Sequence, residues 1–177
     1  MLQRLLPLLA FVALALLLFA GVRMSATRDP NVLPSALIDR PAPEFSLPRL
    51  HQPDQFVSRT DLLGAPYLLN VWGSWCPACR IEHPFIEQIA REGKVRVIGF
   101  NYKDEPADAL RWLQRFGDPY ADIIVDYDGR SAIQWGVYGA PETFLVDAEG
   151  IIRHKHVGPM TPDVYANEIL PRIGASR

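Results

Sequence analysis

The chain's only two cysteines, Cys76 and Cys79, lie three residues apart in Trp75-Cys76-Pro77-Ala78-Cys79. The apolar run from Tyr67 to Trp72 before them reads as a buried strand, and a helical pattern begins directly after them. Such a chain must end a strand, turn within a few residues and open a helix at the cysteines. Proline is best tolerated at the first helical position, because its missing N–H would be unpaired there anyway. Pro77 therefore puts Cys76 at the N-cap, where its sulfur can accept from the amides of Ala78 and Cys79. The positive end of the helix dipole favours a thiolate at that point. Cys76 is thus read as the attacking sulfur, and Cys79, one turn into the helix, as the sulfur that resolves a mixed disulfide.

Two other uses of the pair compete with redox cycling. A structural disulfide over two intervening residues closes almost no loop and would stabilise little. Zinc held by Cys76, Cys79 and His83 needs a fourth ligand, and His51, His154 and His156 are remote in sequence. Redox chemistry is the favoured reading, with no metal or organic cofactor expected beyond the Cys76–Cys79 disulfide itself.

The remaining pattern surrounds this junction with alternating elements. Pro77 to Glu92 carries Ile81, Phe85 and Ile89 at spacing four, one apolar helical face, and Gly93 supplies the stop. Val95–Phe100 and Ile123–Val125 read as inner strands. Between them, Pro106–Phe116 reads as a helix with Ala109, Trp112, Leu113 and Phe116 on one side. Ser131–Trp135 is a short helical turn. Thr143–Val146 and Ile151–Val157 flank Asp147-Ala148-Glu149-Gly150 as a hairpin, and a last helix starts near Thr161-Pro162 and buries Tyr165 and Ile169. The order β-α-β-α-β-(α)-β-β-α predicts an α/β fold, a central mixed sheet flanked by helices.

The amino-terminal part differs in kind. From Leu5 to Val22 there is no charge, and roughly 18 apolar residues meet the lower limit for a bilayer-spanning helix. The run is longer than the apolar centre of most cleaved signals, and a small-x-small cleavage site is poorly formed before Thr27, with Ala26 at −1 but Met24 at −3. An uncleaved single-pass anchor over residues 1–23 is therefore expected ahead of a cleaved export signal. The stretch from Ser25 to Pro43 contains four prolines and few large apolar groups, and residues 24–40 are expected to link the anchor to a folded domain over 41–177. Arg4 lies on one flank, Arg23 and Arg28 on the other, so charge does not decide orientation. A net charge of −2 without a basic stripe argues against nucleic acid as a partner.

Strand, Trp-Cys-x-x-Cys and helix, with Pro84 five residues after the second cysteine, resemble the thioredoxin superfamily. A narrower set resembles the DsbE (CcmG) family of thiol:disulfide interchange proteins. It comprises Pro43-Glu44-Phe45, Leu69-Asn70-Val71-Trp72, Cys79-Arg80-Ile81-Glu82-His83, Asn101-Tyr102-Lys103-Asp104 and Gly136-Val137-Tyr138-Gly139-Ala140-Pro141-Glu142-Thr143-Phe144. The likeness runs from about Pro41 to the end. It implies a thioredoxin-like domain in the periplasm, tethered to the bacterial inner membrane and acting as a reductant in cytochrome c maturation. The implied targets are apocytochrome c Cys-x-x-Cys-His disulfides, met directly or through a thiol subunit of the haem lyase. The implied electron donor is a membrane protein of the DsbD or CcdA type. Haem itself need not bind.

The resemblance also maps Ala140-Pro141 onto the superfamily's cis-proline facing the dithiol, leaving the Ala140 backbone to pair with an extended substrate. Glu82, three residues after Cys79 on one helix face, is a candidate proton relay, with Glu142 as a possible second acid. Thioredoxin keeps a buried acid on the strand before its dithiol, and here the matching place is the uncharged Asn70. Trp75 is expected as an apolar lid over the disulfide, which sets Trp75, Pro77, Ala140, Pro141 and Glu142 as the candidate substrate contacts. His83 is read as a helix-surface residue, and His154 and His156 as an exposed edge. Oxidants of the DsbA kind place a histidine between the cysteines. Pro77-Ala78 offers no such charge, so a more reducing pair is expected. A general thiol oxidase or disulfide isomerase, and a non-enzymatic tether, are the competing functions.

Overall fold

The computed structural model describes residues 11–21 and 35–175. The chain divides into two units, Met1–Pro34 and Ser35–Arg177. In the first, residues 11–21 are helical and expose Phe11, Leu14, Leu16 and Leu17. Among the described residues no helix is long and apolar enough to cross a membrane. The run read as a span, Leu5 to Val22, extends outside them at both ends, as does most of the linker.

The second unit is built on a five-stranded sheet. Its strands are β3 (Tyr67–Trp72), β4 (Arg96–Tyr102), β5 (Asp122–Asp126), β6 (Glu142–Val146) and β7 (Ile152–Val157), in the order β5-β4-β3-β6-β7. β3, β4 and β5 run parallel, while β6 and β7 are antiparallel to their neighbours. β3 sits at the centre and is buried at every position. Its pleat sends Tyr67, Leu69 and Val71 into one core, with Phe100, Ile124, Trp135 and Phe144. Leu68, Asn70 and Trp72 alternate with these and face the opposite side of the sheet. There Leu68 packs against Ile86, Ile89, Tyr165 and Ile169, and Trp72 against Cys76, Cys79, Ala109 and Trp112.

Helix α1 (Pro77–Glu92) covers that face, with Cys76 as N-cap and Gly93 as a left-handed C-cap at φ 65°. Helix α2 (Pro106–Phe116) buries Ala109, Trp112 and Leu113 beside it, α3 (Arg130–Gln134) lies after β5, and a final helical segment starts at Pro162 and contains a π turn at Tyr165–Ile169. Gly99 permits the close approach of α1-side aromatics to the sheet, since a Cβ there would meet Trp72 Nε1 at 2.9 Å and Tyr120 Cγ at 3.0 Å.

Several expectations need correction. The buried face of α1 is Cys79, Glu82, His83, Ile86 and Ile89, whereas Ile81 is 75% exposed. His83 is buried, not on the helix surface: its Nε2 lies 3.1 Å from the Gly117 carbonyl and its ring meets Trp112 edge-on at 4.4 Å. Burial pushes its pKa below the usual imidazole value. His154 and His156 are half-buried rather than exposed, and both face Glu168, at 2.9 and 3.8 Å. Residues 35–40, expected in the linker, are held to the domain: Asp39 N–H donates to the Ile152 carbonyl and Ile152 N–H to that of Arg40. A short hairpin of β1 (Ser46–Pro48) and β2 (Phe56–Ser58) was not expected, and Leu50 N–H ties it to Ile123 on β5.

Candidate active site

The end of β3 and the start of α1 place the two cysteines as the sequence requires. Cys76 is extended at the N-cap, Pro77 opens the helix, and the Cys79 N–H donates to Cys76 Sγ at 3.1 Å. No such bond from Ala78 is present. The sulfurs are joined as a disulfide. Cys76 lines an open cleft of about 620 Å³ together with Ser74, Trp75, Pro77, Arg80 and Ile81, and with Trp112, Arg115 and Phe116 from α2. Cys79 does not line it; both cysteines are buried, at 3% and 2% exposed, so the cleft lining and not exposure separates them. Of the two sulfurs, the one at the N-cap borders the surface a partner can reach.

The loop before Cys76 is clamped by the end of β4. The buried carboxylate of Asp104 accepts from Ser74 N–H at 2.6 Å, from Ser74 Oγ at 2.7 Å and from Asn101 Nδ2 at 2.9 Å. Trp75 Nε1 donates to the Tyr102 carbonyl at 3.1 Å. Trp75 is half exposed, and its place in the cleft lining puts it beside Cys76. In the sequence Asp104 figures only as the last residue of the Asn101-Tyr102-Lys103-Asp104 stretch, with no role as a brace.

Glu82 lies one turn beyond Cys79 on the buried face and is 3% exposed. Asn70 Nδ2, on the α1 side of β3, donates to its Oε1 at 2.8 Å, and Met160 N–H donates to its Oε2 at 2.6 Å. Tyr120 OH in turn donates to Asn70 Oδ1 at 2.9 Å. Desolvation dominates the two hydrogen bonds and pushes the carboxyl up to about 7. An acid poised there can hold or release a proton near neutral pH, as a relay requires.

The Ala140–Pro141 bond is cis. The loop in front of it is braced from within. Glu142, 1% exposed, accepts from Tyr138 N–H at 2.8 Å and Gly139 N–H at 3.3 Å. Lys155 Nζ lies 3.0 Å from the other Glu142 oxygen, an ion-pair contact without hydrogen-bond alignment, and donates to the Gly136 carbonyl at 2.7 Å. Glu142 was expected to touch substrate or share the proton work. Its carboxylate is instead engaged by its own loop and by Lys155. Ala140 packs against the core, and neither it nor Pro141 lines the cleft beside Cys76. Lys155 gave no sequence signal: it sits between His154 and His156 in a polar stretch of β7 and is nonetheless buried.

A family model described as Redoxin matches residues 38–169. The thiol:disulfide interchange protein DsbE of Allochromatium vinosum is 58% identical over 171 residues, covering 97% of this chain and 92% of that protein. DsbE of Escherichia coli K12 is 48% identical over 170 residues, covering 94% and 91%. The chain belongs to the DsbE family of thiol:disulfide interchange proteins. Among solved structures, one described as a putative DsbE from Chlorobium tepidum superposes with a TM-score of 0.65 at 29% identity, over 77% of this chain and 94% of that one. This DsbE-family chain is a thiol:disulfide oxidoreductase with a thioredoxin-like fold, and Cys76–Cys79 is the only cysteine pair it has for that chemistry.

Proposed function

We propose that the protein is a membrane-anchored periplasmic reductant. It reduces the Cys-x-x-Cys-His disulfides of apocytochrome c, directly or through a thiol subunit of the haem lyase, and is itself recharged by a membrane donor of the DsbD or CcdA type. The Cys76 thiolate attacks one partner sulfur, forming a mixed disulfide and releasing the other as thiolate. The Cys79 thiolate then attacks Cys76 Sγ, so the partner leaves as a dithiol and the protein as a disulfide. Two electrons and two protons pass to the partner. Glu82 takes the Cys79 proton as that thiol becomes the second attacker, and the Ala140 edge offers the partner strand its backbone.

The observation that carries the direction is the buried Glu82 carboxyl one turn after Cys79 on the helix of a dithiol with only Pro77-Ala78 between its cysteines. No cation between the cysteines stabilises the reduced thiolate, and a buried carboxylate nearby disfavours it. Reduced protein is then the less favoured form and gives up its electrons readily. The apolar run from Leu5 to Val22 supports the anchor, and similarity to the Allochromatium protein over 97% of the chain extends into that part.

A Cys79→Ala variant, expressed with its anchor, tests the reading. It should accumulate mixed disulfides through Cys76, and the trapped partners should be apocytochrome c or its maturation proteins. A broad set of unrelated exported proteins would instead mark a general oxidase or isomerase.

A further inference from the structure

The cleft beside Cys76 has a charge pattern that the thiol chemistry does not use. Arg80, one turn after Cys76 on α1, and Arg115, at the end of α2, both line it, and no acidic residue does. Both side chains are exposed, and both guanidiniums sit over the ring of Phe116, at 4.7 and 5.2 Å from its centroid. Neither forms an ion pair among the described residues, although Arg111 on the same helix is paired to Asp108. Two like charges on the lining of one cleft favour an anion as its occupant. Apart from Ser74 the rest of the lining is apolar or cysteine: Trp75 is 50% and Ile81 75% exposed, and Trp112 and Phe116 line it from α2. The cation–π contacts with Phe116 restrain both guanidiniums, which lowers the entropy lost when they bind a carboxylate.

We infer that the Arg80–Arg115 pair selects partners whose disulfide segment carries a carboxylate within a few residues of the cysteine that Cys76 attacks. The occupant is an acidic, partly apolar stretch of a partner polypeptide, its apolar side chain against Trp75 and Ile81 and its carboxylate at the arginine side of the cleft. The positive end of α1 at Cys76 adds to the charge of the two arginines on the cleft lining. The inference rests on the proposed attack by Cys76 and adds to it a chemical preference in the partner.

The test uses three oxidised Cys-x-x-Cys peptides that differ only in flanking Glu, Gln or Lys residues. The rate of mixed-disulfide formation is measured with the Cys79→Ala protein, since this step runs whichever way the full exchange is poised. The Glu peptide should react about fivefold faster than the Gln peptide at low salt, corresponding to roughly 1 kcal/mol from two exposed pairs, with the Lys peptide slowest. The preference should fade toward unity at high ionic strength. Arg80→Gln/Arg115→Gln should abolish it, Arg80→Lys/Arg115→Lys should keep most of it, and Arg80→Glu/Arg115→Glu should favour the Lys peptide. Equal rates for the three peptides, or a preference that survives in the double Gln variant, overturns the inference. The reductant reading is judged apart from this, by net reduction of the Gln peptide by intact reduced protein.

Discussion

Asn70 on the central strand donates its side-chain amide to the Glu82 carboxylate of the dithiol helix at 2.8 Å, with both side chains buried. The pair links the sheet to the redox helix through a group that titrates near neutral pH.

The first consequence is a pH dependence of stability. The Glu82 carboxyl is raised from 4.5 to about 7 in the folded protein. Between those values the folded state holds a proton that the unfolded state has lost, so raising the pH favours unfolding. The wild type should lose roughly 3 kcal/mol from this group between pH 4.5 and 7. Glu82→Gln cannot ionise and should lack that loss. Urea unfolding of the two proteins at pH 5 and pH 8 checks it; parallel pH profiles would count against the buried acid.

Replacing Asn70 by Asp puts a second carboxylate against Glu82. Two carboxylates sharing one site cannot both ionise, and one of them titrates at a much higher pH. The Asn70→Asp protein should show its midpoint for thiol exchange against pH moved up by about one unit or more. Stopped-flow exchange with a neutral disulfide reads this directly, and an unmoved midpoint would remove Glu82 from the proton path.

Lys155 and Glu142 brace the loop before the cis proline as a buried ion pair. Lys155→Met leaves the Glu142 charge buried without its cation and should cost about 3 kcal/mol. Glu142→Gln placed on that background should recover much of the loss, because the amide keeps an oxygen for the Tyr138 and Gly139 N–H groups. Denaturant midpoints of the two single variants and the double give the coupling. Additive losses would deny the pair.

Asp104 ties the Ser74 backbone and hydroxyl to the end of β4, next to Trp75 and Cys76. Asp104→Ala should lower stability by about 2 kcal/mol through its lost buried hydrogen bonds. It should also loosen Trp75, read as a fall in fluorescence anisotropy. A stability loss with Trp75 unchanged would confine Asp104 to a structural role.

The redox junction was legible in the sequence because each boundary had a local chemical cause. Pro77 could only begin a helix, Gly93 could end it in the left-handed region, and the six residues from Tyr67 were apolar enough to be central. The buried face of α1 was misread because three of its five buried residues, Cys79, Glu82 and His83, are not conventional core residues, and the apolar spacing through Ile81 drew the stripe to the wrong side. Glu82 and His83 are buried because Asn70, Met160 and Gly117 meet them from other elements, which no local pattern reveals. The β1–β2 hairpin escaped notice because strands of three residues carry too little alternation to register. Lys155 was hidden for a related reason: its cation is matched by Glu142 on the adjacent strand.

The central claim is that this dithiol gives electrons away, and its equilibrium potential measures that most directly. Reduced and oxidised protein equilibrated with glutathione and dithiothreitol buffers, with the Cys76–Cys79 state read by thiol trapping, gives the value. A potential well below that of protein disulfide isomerase, near −180 mV, is predicted from the absence of a cation between the cysteines and from the buried Glu82. A potential near that of DsbA, about −120 mV, would contradict the account and make the protein an oxidant.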